Sequence, residues 1–225
     1  MKLTPNDLRF VVSRIPKDVR KLMIAHGITL GGGFIRETVA GNKPQDIDLF
    51  GKPGQDLKAV AALLALSRHG RMHETDNALS VLAPPRMMVQ FITRWRYNEP
   101  QDIIPDFDFT VCQAAIWAVP GPKWNSEISD AFYPDLAARR LVYTSPQREE
   151  AAGGSLLRVR KFLKRGYDIQ APSLAAVIAR LVTKVRGEPD EQRATQILLG
   201  LLHEVDPAVV IDGLDVIDEH EVVPT

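Results

Sequence analysis

The chain has 225 residues, 45% of them apolar and 25% charged, a composition that excludes a disordered chain and leaves room for a buried core. Its 28 basic and 28 acidic side chains give zero formal net charge, which excludes bulk attraction to nucleic acid and leaves only a local patch. A single cysteine, Cys112, excludes an internal disulfide and fits a reducing compartment.

The N-terminal stretch is broken by charges and prolines and has no apolar signal core. Nowhere does an apolar run approach the ~18 residues that would span a bilayer, so a cytoplasmic protein with no membrane partner is expected. Thr4-Pro5-Asn6 can cap and start a helix that runs to about Arg14. A second helix is predicted from Pro16 to His26, stopped by Gly27. "ITLGG" reads as a short strand, "FIRETVA" as a helix of two turns closed by Gly41, and "DIDLF" as a strand with alternating faces. "DLKAVAALLALSR" is an apolar-rich helix. Strands are predicted at 78–83 and 86–93, on either side of Pro84-Pro85, and residues 98–105 read as a loop or short helix. The apolar run 109–119 is β-rich, and "KWNSEI" returns after the turn "PGPK". "DAFYPDLAARR" reads as a helix and "LVYT" as a last strand.

After Ser145 the composition turns helical. Leu156, Leu157, Val159, Phe162 and Leu163 recur at helical spacing, with Arg158, Arg160, Lys161, Lys164 and Arg165 between them. "SLAAVIARLVTKVRG", "EQRATQILLGLLHEV" and "PAVVIDGLDVIDEH" continue as helices. The reading is an α+β part over 1–145, with a mixed sheet and flanking helices, followed by a helical part over 146–225.

The stretch "GGGFIRETVAGNKPQDIDLF" carries the chemistry. On a strand, residues i and i+2 share a face, so Asp46 and Asp48 project together while Ile47 and Leu49 point into a core. Two facing carboxylates call for a cation between them, and a hard divalent ion with oxygen ligands fits. The glycines before the helix let a phosphate approach the backbone. A lone D-x-D or a lone glycine triplet is weak. The order strand, Gly-Gly-Gly, helix, Gly, loop, strand with D-x-D is far more specific.

These residues resemble the signature of the nucleotidyltransferase superfamily, in the branch of tRNA CCA-adding enzymes and bacterial poly(A) polymerases. Gly32-Gly33-Phe34-Ile35-Arg36-Glu37 matches that branch's Gly-Gly-x-Val-Arg-Asp, with Glu37 for Asp, and Asp46-Ile47-Asp48-Leu49 matches its Asp-Ile-Asp-Leu. In "VQFITRW", Gln90 stands where the branch has an acidic residue. Asp108-Phe109-Thr110 matches Asp-Phe-Thr, with Asp106 and Phe107 in place of two arginines and Cys112 in place of Asn. "DAFYPDLAARRLVYT", without the branch's glycine, is similar to a later segment of the head and the helix "SLLRVRKFLKRGYDI" to the neck-opening helix, and the chain resembles the short variants found in phage genomes rather than a full CCA-adding enzyme.

The resemblance implies a nucleotidyltransferase-like head and a helical neck. It implies transfer of a nucleoside monophosphate from a triphosphate to an acceptor hydroxyl on RNA, a small molecule or a protein. Asp46 and Asp48 would bind Mg²⁺ or Mn²⁺, with Asp108 as a third catalytic carboxylate. Gly32, Gly33, Arg36, Arg158 and Arg160 would hold the nucleotide. The strand around Gln90 should lie beside Asp46–Leu49. The alternative is an inactive nucleotide- or protein-binding module on the same scaffold, suggested by Gln90 and the missing arginines; a third, an RNA-binding accessory protein, is disfavoured by the zero net charge. DNA is not expected as a partner. His69 and His73 read as surface-loop residues, Cys112 as a core thiol, and Trp95, Trp117 and Trp124 as packing residues.

Overall fold

A computed structural model describes residues 1–121, 123–146 and 152–205. The predicted helix "PAVVIDGLDVIDEH" lies outside the described residues. The chain divides into two compact units, the first over Met1–Ala138 and the second beginning at Arg139.

The first unit opens with helices α1 (Pro5–Arg14) and α2 (Lys17–His26). The Thr4 hydroxyl caps α1 by accepting from the Asp7 N–H, and Gly27, at φ +61°, ends α2. Then follow β1 (Thr29–Gly31), α3 (Gly33–Val39), β2 (Asp46–Phe50), α4 (Leu57–Ser67), β3 (Arg71–Glu74), β4 (Ala78–Leu82) and β5 (Met88–Ile92). A 3-10 segment (Pro100–Asp106) and a second one (Thr110–Cys112) lead to the hairpin β6 (Ala114–Val119) and β7 (Lys123–Ile128), and α5 (Phe132–Ala137) follows. The strands form one sheet in the order β3-β4-β5-β2-β1-β6-β7. Only the β2–β5 pair runs parallel; the other neighbours are antiparallel.

Two faces of this sheet differ sharply. Ile47, Leu49, Leu30, Val89, Phe91, Leu79, Val81 and Ile116 share one face and are almost wholly buried. Helix α4 lies on β3 and β4, and α2 on β6. The five buried residues of α4 (Leu57, Val60, Ala61, Leu64, Ala65) need an apolar sheet face, and this is the one available. The opposite face carries Asp46, Asp48 and Phe50. The first 3-10 segment lies on β6 and β7, and its Ile103 packs with Phe50 and Ala115, joined by Tyr97, Phe107 and Trp117. So the Phe50 and Ala115 part of this face is covered by aromatic and aliphatic side chains.

Three expectations change. His73 lies in an edge strand, β3, rather than a loop; its residues are mostly exposed, so no apolar alternation marked it. The run 109–119 becomes strand only from Ala114, because Thr110–Cys112 turns as a 3-10 helix. Helix α5 stops at Ala137, just before Arg139 takes φ +49°.

The second unit holds β8 (Arg140–Leu141), α6 (Ala152–Lys164), β9 (Asp168–Ile169), α7 (Ala171–Val182) and α8 (Glu191–Val205). β8 and β9 pair in parallel, and α6 packs on α7 and α8. Gly166 turns the chain at φ +78°, and Tyr167 then meets Phe162 edge-on at 5.1 Å. Among the described residues no helix is long and apolar enough to cross a membrane.

Candidate functional site

The glycine stretch and the carboxylates are neighbours in space because β1 and β2 are neighbours in the sheet. Gly31 stands opposite Asp48 in the antiparallel β1–β2 register. Asp48 stands opposite Gln90 in the parallel β2–β5 register, and Gln90 opposite Ser80 in β4. Directly paired strand residues point to the same side. Gly31, Asp48, Gln90 and Ser80 therefore form one row across the sheet, and Asp46 stands two residues from Asp48 on the same face. The Gln90 side-chain amide donates to Ser80 Oγ at 3.1 Å. Both aspartates are half-buried, and Ile47 and Leu49, fully buried, fix the strand's orientation. Among the described residues, no three His, Cys, Asp or Glu side chains converge on a metal position. The donor set is thus two carboxylates with a neutral amide beside them.

Gly32 has φ +71° and ψ −122°, a conformation that only glycine adopts easily, and its N–H donates to Ala114 O at 2.9 Å. A side chain at Gly31 would meet Ile103 Cδ1 at 2.8 Å and Phe107 Cζ at 3.1 Å; one at Gly32 would meet Phe107 Cε1 at 3.1 Å. The Phe107 ring, which stands where the resemblance has an arginine, thus lies against the glycine backbone. Gly33 is different: a Cβ there would meet only Arg36 Nη2, at an ordinary 3.5 Å.

Arg36 is almost wholly buried on α3. Its guanidinium donates to Glu37 Oε1 through Nε (3.0 Å) and Nη2 (2.8 Å), and to Cys112 Sγ through Nη1 (3.1 Å). Glu37 also accepts from Asn42 Nδ2 at 2.9 Å. The substitutions at the Asp and Asn positions of the resemblance are therefore matched to each other through Arg36. Asp108 is only 2% exposed, while Asp106 accepts from the Tyr97 hydroxyl at 2.8 Å. Thr110 Oγ1 donates to Asp135, 1% exposed, at 2.6 Å, and joins two of the segments that carry the resemblance. Arg158 and Arg160 lie on α6 in the second unit, half-buried and exposed respectively. Sequence reading missed Ser80 and the Phe107–glycine contact. Only a lone serine inside the apolar run "ALSVLA" hinted at the first, and nothing local hinted at the second.

In fold, the chain is similar to the Thermotoga maritima CCA-adding enzyme solved with tRNA, at TM-score 0.56 and 16% identity over 87% of this chain and 50% of that one. It is also similar to a CCA-adding enzyme solved with CTP, at TM-score 0.55 and 18% identity over 87% and 49% of the two chains. A third similar structure is a CCA-adding enzyme with ATP, at TM-score 0.56 and 17% identity over 84% and 49%. The chain spans about half the length of these structures. The likeness is one of fold: the chain shares the α+β architecture of these CCA-adding enzymes. No curated protein matches the chain. A family model described as Gad2, Gabija anti-defense 2 family protein, matches residues 2–139, and the chain belongs to that family.

Proposed function

We propose that the chain is a metal-dependent nucleotidyltransferase whose activity serves to counter the Gabija defence named in its family's description. The observation that carries the reading is the pair Asp46 and Asp48, half-buried on one face of the sheet, with Gly31 and Gln90 on the neighbouring strands. Oxygen donors alone, two charged and partly accessible, suit Mg²⁺ or Mn²⁺, because Mg²⁺ is commonly held by one or two carboxylates together with substrate phosphates. Asp46 and Asp48 would hold the ion, which when bound neutralises triphosphate charge and lowers the pKa of an acceptor hydroxyl. The similarity to enzymes solved with CTP and ATP supports a nucleoside triphosphate as substrate.

The Gly32–Gly33 turn lets the triphosphate approach the backbone from the Gly33 side, and Arg36, whose charge is balanced by Glu37, holds the turn and α3 in place through Glu37 and Cys112. The acceptor hydroxyl gives its proton to solvent, its oxygen forms a bond to the α-phosphorus as the bond to the bridging α–β oxygen breaks, and pyrophosphate leaves. Positioning and charge neutralisation lower the barrier. Asp108, 2% exposed and not converging with Asp46 and Asp48 on one metal position, enters the proposal on the resemblance alone, and Asp108→Asn should lower transfer if it takes part. Arg158 and Arg160 join the nucleotide-binding set on the resemblance of their helix alone.

The test incubates the protein with each labelled triphosphate, Mg²⁺ or Mn²⁺, and total cellular RNA and protein. Label should reach one acceptor with the wild type and none with Asp46→Asn or Asp48→Asn, at unchanged melting temperature. Full transfer by both variants would overturn the metal assignment. A second reading, a binding module that holds triphosphate without transferring it, is favoured by two observations: Gln90 is bonded to Ser80, and Phe107 packs on the glycines. It predicts triphosphate binding with no label in any acceptor.

A further inference from the structure

Helix α4 is apolar on all sides: of its eleven residues, LKAVAALLALS, only Lys58 and Ser67 are polar. A helix of that kind is normally covered all round. Here one face is buried on the sheet, while Ala59, Ala62, Leu63 and Leu66 are exposed. These four recur at i, i+3, i+4 and i+7 and form a single stripe. Leu66 is 75% exposed and Leu63 56%. Helix α2, which packs beside α4, adds Ile24 at 55% exposure. Isolated exposed leucines are ordinary, but a full helical stripe joined by a neighbouring helix is the mark of an interaction site.

The charges around this stripe choose its occupant. Lys17 and Lys21 are exposed and share a helical face with Ile24. Two acidic groups nearby are paired, Asp18 with Arg68 and Arg86 and Glu74 with Lys58, while Asp56 keeps its charge at the N-terminal end of α4, where it caps the Ala59 N–H. An apolar centre with a basic edge along α2, formed by Lys17 and Lys21, complements an apolar surface edged by carboxylates better than a second copy of itself. The stripe lies on the sheet side opposite Asp46 and Asp48, so docking there leaves the proposed site open.

We propose that the outer faces of α4 and α2 dock an acid-rimmed apolar surface of a protein component of the Gabija defence. This rests on the anti-defence role proposed above. The expected binding mode is helix against groove, with Leu63 and Leu66 as anchors and Lys17 and Lys21 steering association.

The experiment has two arms. Phage plating on cells that carry the Gabija defence is measured with the wild type and with the double variant Leu63→Glu/Leu66→Glu at equal protein level. Binding of both to purified Gabija proteins is measured over a salt series. Both substituted positions are exposed, so the variant should fold normally, which its melting temperature and circular dichroism check. The wild type should restore plating and bind, and the double variant should lose both, with affinity at least tenfold weaker; Lys17→Glu/Lys21→Glu should weaken binding and flatten its salt dependence. If the wild type restores plating and the double variant does so equally well, the docking surface is overturned while the anti-defence role stands. If the wild type restores nothing, the role itself falls, and the proposal with it. Dimerisation of the wild type abolished by the double variant, or binding to phosphatidylserine vesicles without binding to the Gabija proteins, also overturns the proposal.

Discussion

Asp48 stands directly opposite Gln90 across the parallel β2–β5 ladder, and Gln90 in turn donates to Ser80 on β4. The row therefore holds an amide where a third carboxylate would complete a metal site. Replacing it should show which way the site is built. Gln90→Asp removes the bond to Ser80, a loss of about 1 kcal/mol, and adds a charge beside Asp48. Without metal the variant should melt lower than the wild type. With Mn²⁺ the order should reverse, because affinity for the ion should rise at least tenfold, about 1.4 kcal/mol. Calorimetric titration with Mn²⁺ and paired melting curves measure both effects. Unchanged Mn²⁺ affinity would mean that the row does not face the ion.

Asp18 and Arg68 tie α2 to the end of α4. Arg68 Nε donates to Asp18 Oδ2 at 2.7 Å and Nη2 to Oδ1 at 3.1 Å, while Nη1 donates to Met87 O at 3.0 Å. The Arg68 side chain is 1% exposed and Asp18 31%. The Arg68 hydrogen bond, opposed by burial, holds the Asp18 carboxyl below its usual value. A folded-state value below the unfolded one means stability that is present above the unfolded pKa, about 3.9, and lost as pH falls through the folded value. Asp18→Asn leaves a buried guanidinium short of charge and should cost about 2 kcal/mol near neutral pH, less than a fully buried pair because Asp18 is partly wet. Urea unfolding of both proteins should show this gap closing below about pH 4. A gap that persists in acid would make the contact one of packing rather than charge.

The sequence announced what is local and periodic. Pro5, Pro16 and Gly27 marked the ends of α1 and α2 by their own backbone restrictions, and the alternation in Asp46-Ile47-Asp48-Leu49 showed which side of β2 meets the core. The expected placement of the Gln90 strand beside Asp46–Leu49 is met by the β2–β5 register. Edge strand β3 was invisible because its order comes from backbone pairing with β4, not from side-chain burial. The role of Phe107 was invisible for another reason. Its ring meets Gly31 and Gly32 from some seventy-five residues away, and only the 3-10 segment folding back over the sheet brings it there.

Thr110 and Asp135 give a test of the buried polar network. The hydroxyl donates at 2.6 Å to a carboxylate that is 1% exposed. Thr110→Val keeps the shape and removes a donor from a buried charge, at a cost of about 1–3 kcal/mol. Thr110→Ser keeps the donor and should recover most of the loss. Urea midpoints compare the three proteins, and equal stability of the valine variant and the wild type would rule out a contribution from this bond.

Gly32 and Gly33 are adjacent, and their alanine variants should behave in opposite ways. At Gly32 the positive φ strains any side chain, at about 1–3 kcal/mol, and the Phe107 ring stands 3.1 Å from the new methyl. Gly32→Ala should therefore destabilise the fold. Adding Phe107→Ala should remove the steric part and leave the backbone part, so the two losses should fail to add. Gly33 begins α3 without positive φ, and a methyl there meets only Arg36 at contact distance. Alanine is a better helix residue than glycine by up to about 1 kcal/mol, so Gly33→Ala should leave the fold as stable or more so. If the triphosphate approaches from the Gly33 side, the same methyl stands in its way. Affinity for Mg²⁺-ATP should then fall at least tenfold, about 1.4 kcal/mol, in a protein that melts no lower than the wild type. Phe107→Ala, which changes only the other side of the turn, should leave that affinity within a factor of about three. Calorimetric titration of the four variants beside their melting curves decides the matter. Unchanged ATP affinity in Gly33→Ala, or a large gain in Phe107→Ala, would show that the glycines make room for the ring and not for a phosphate.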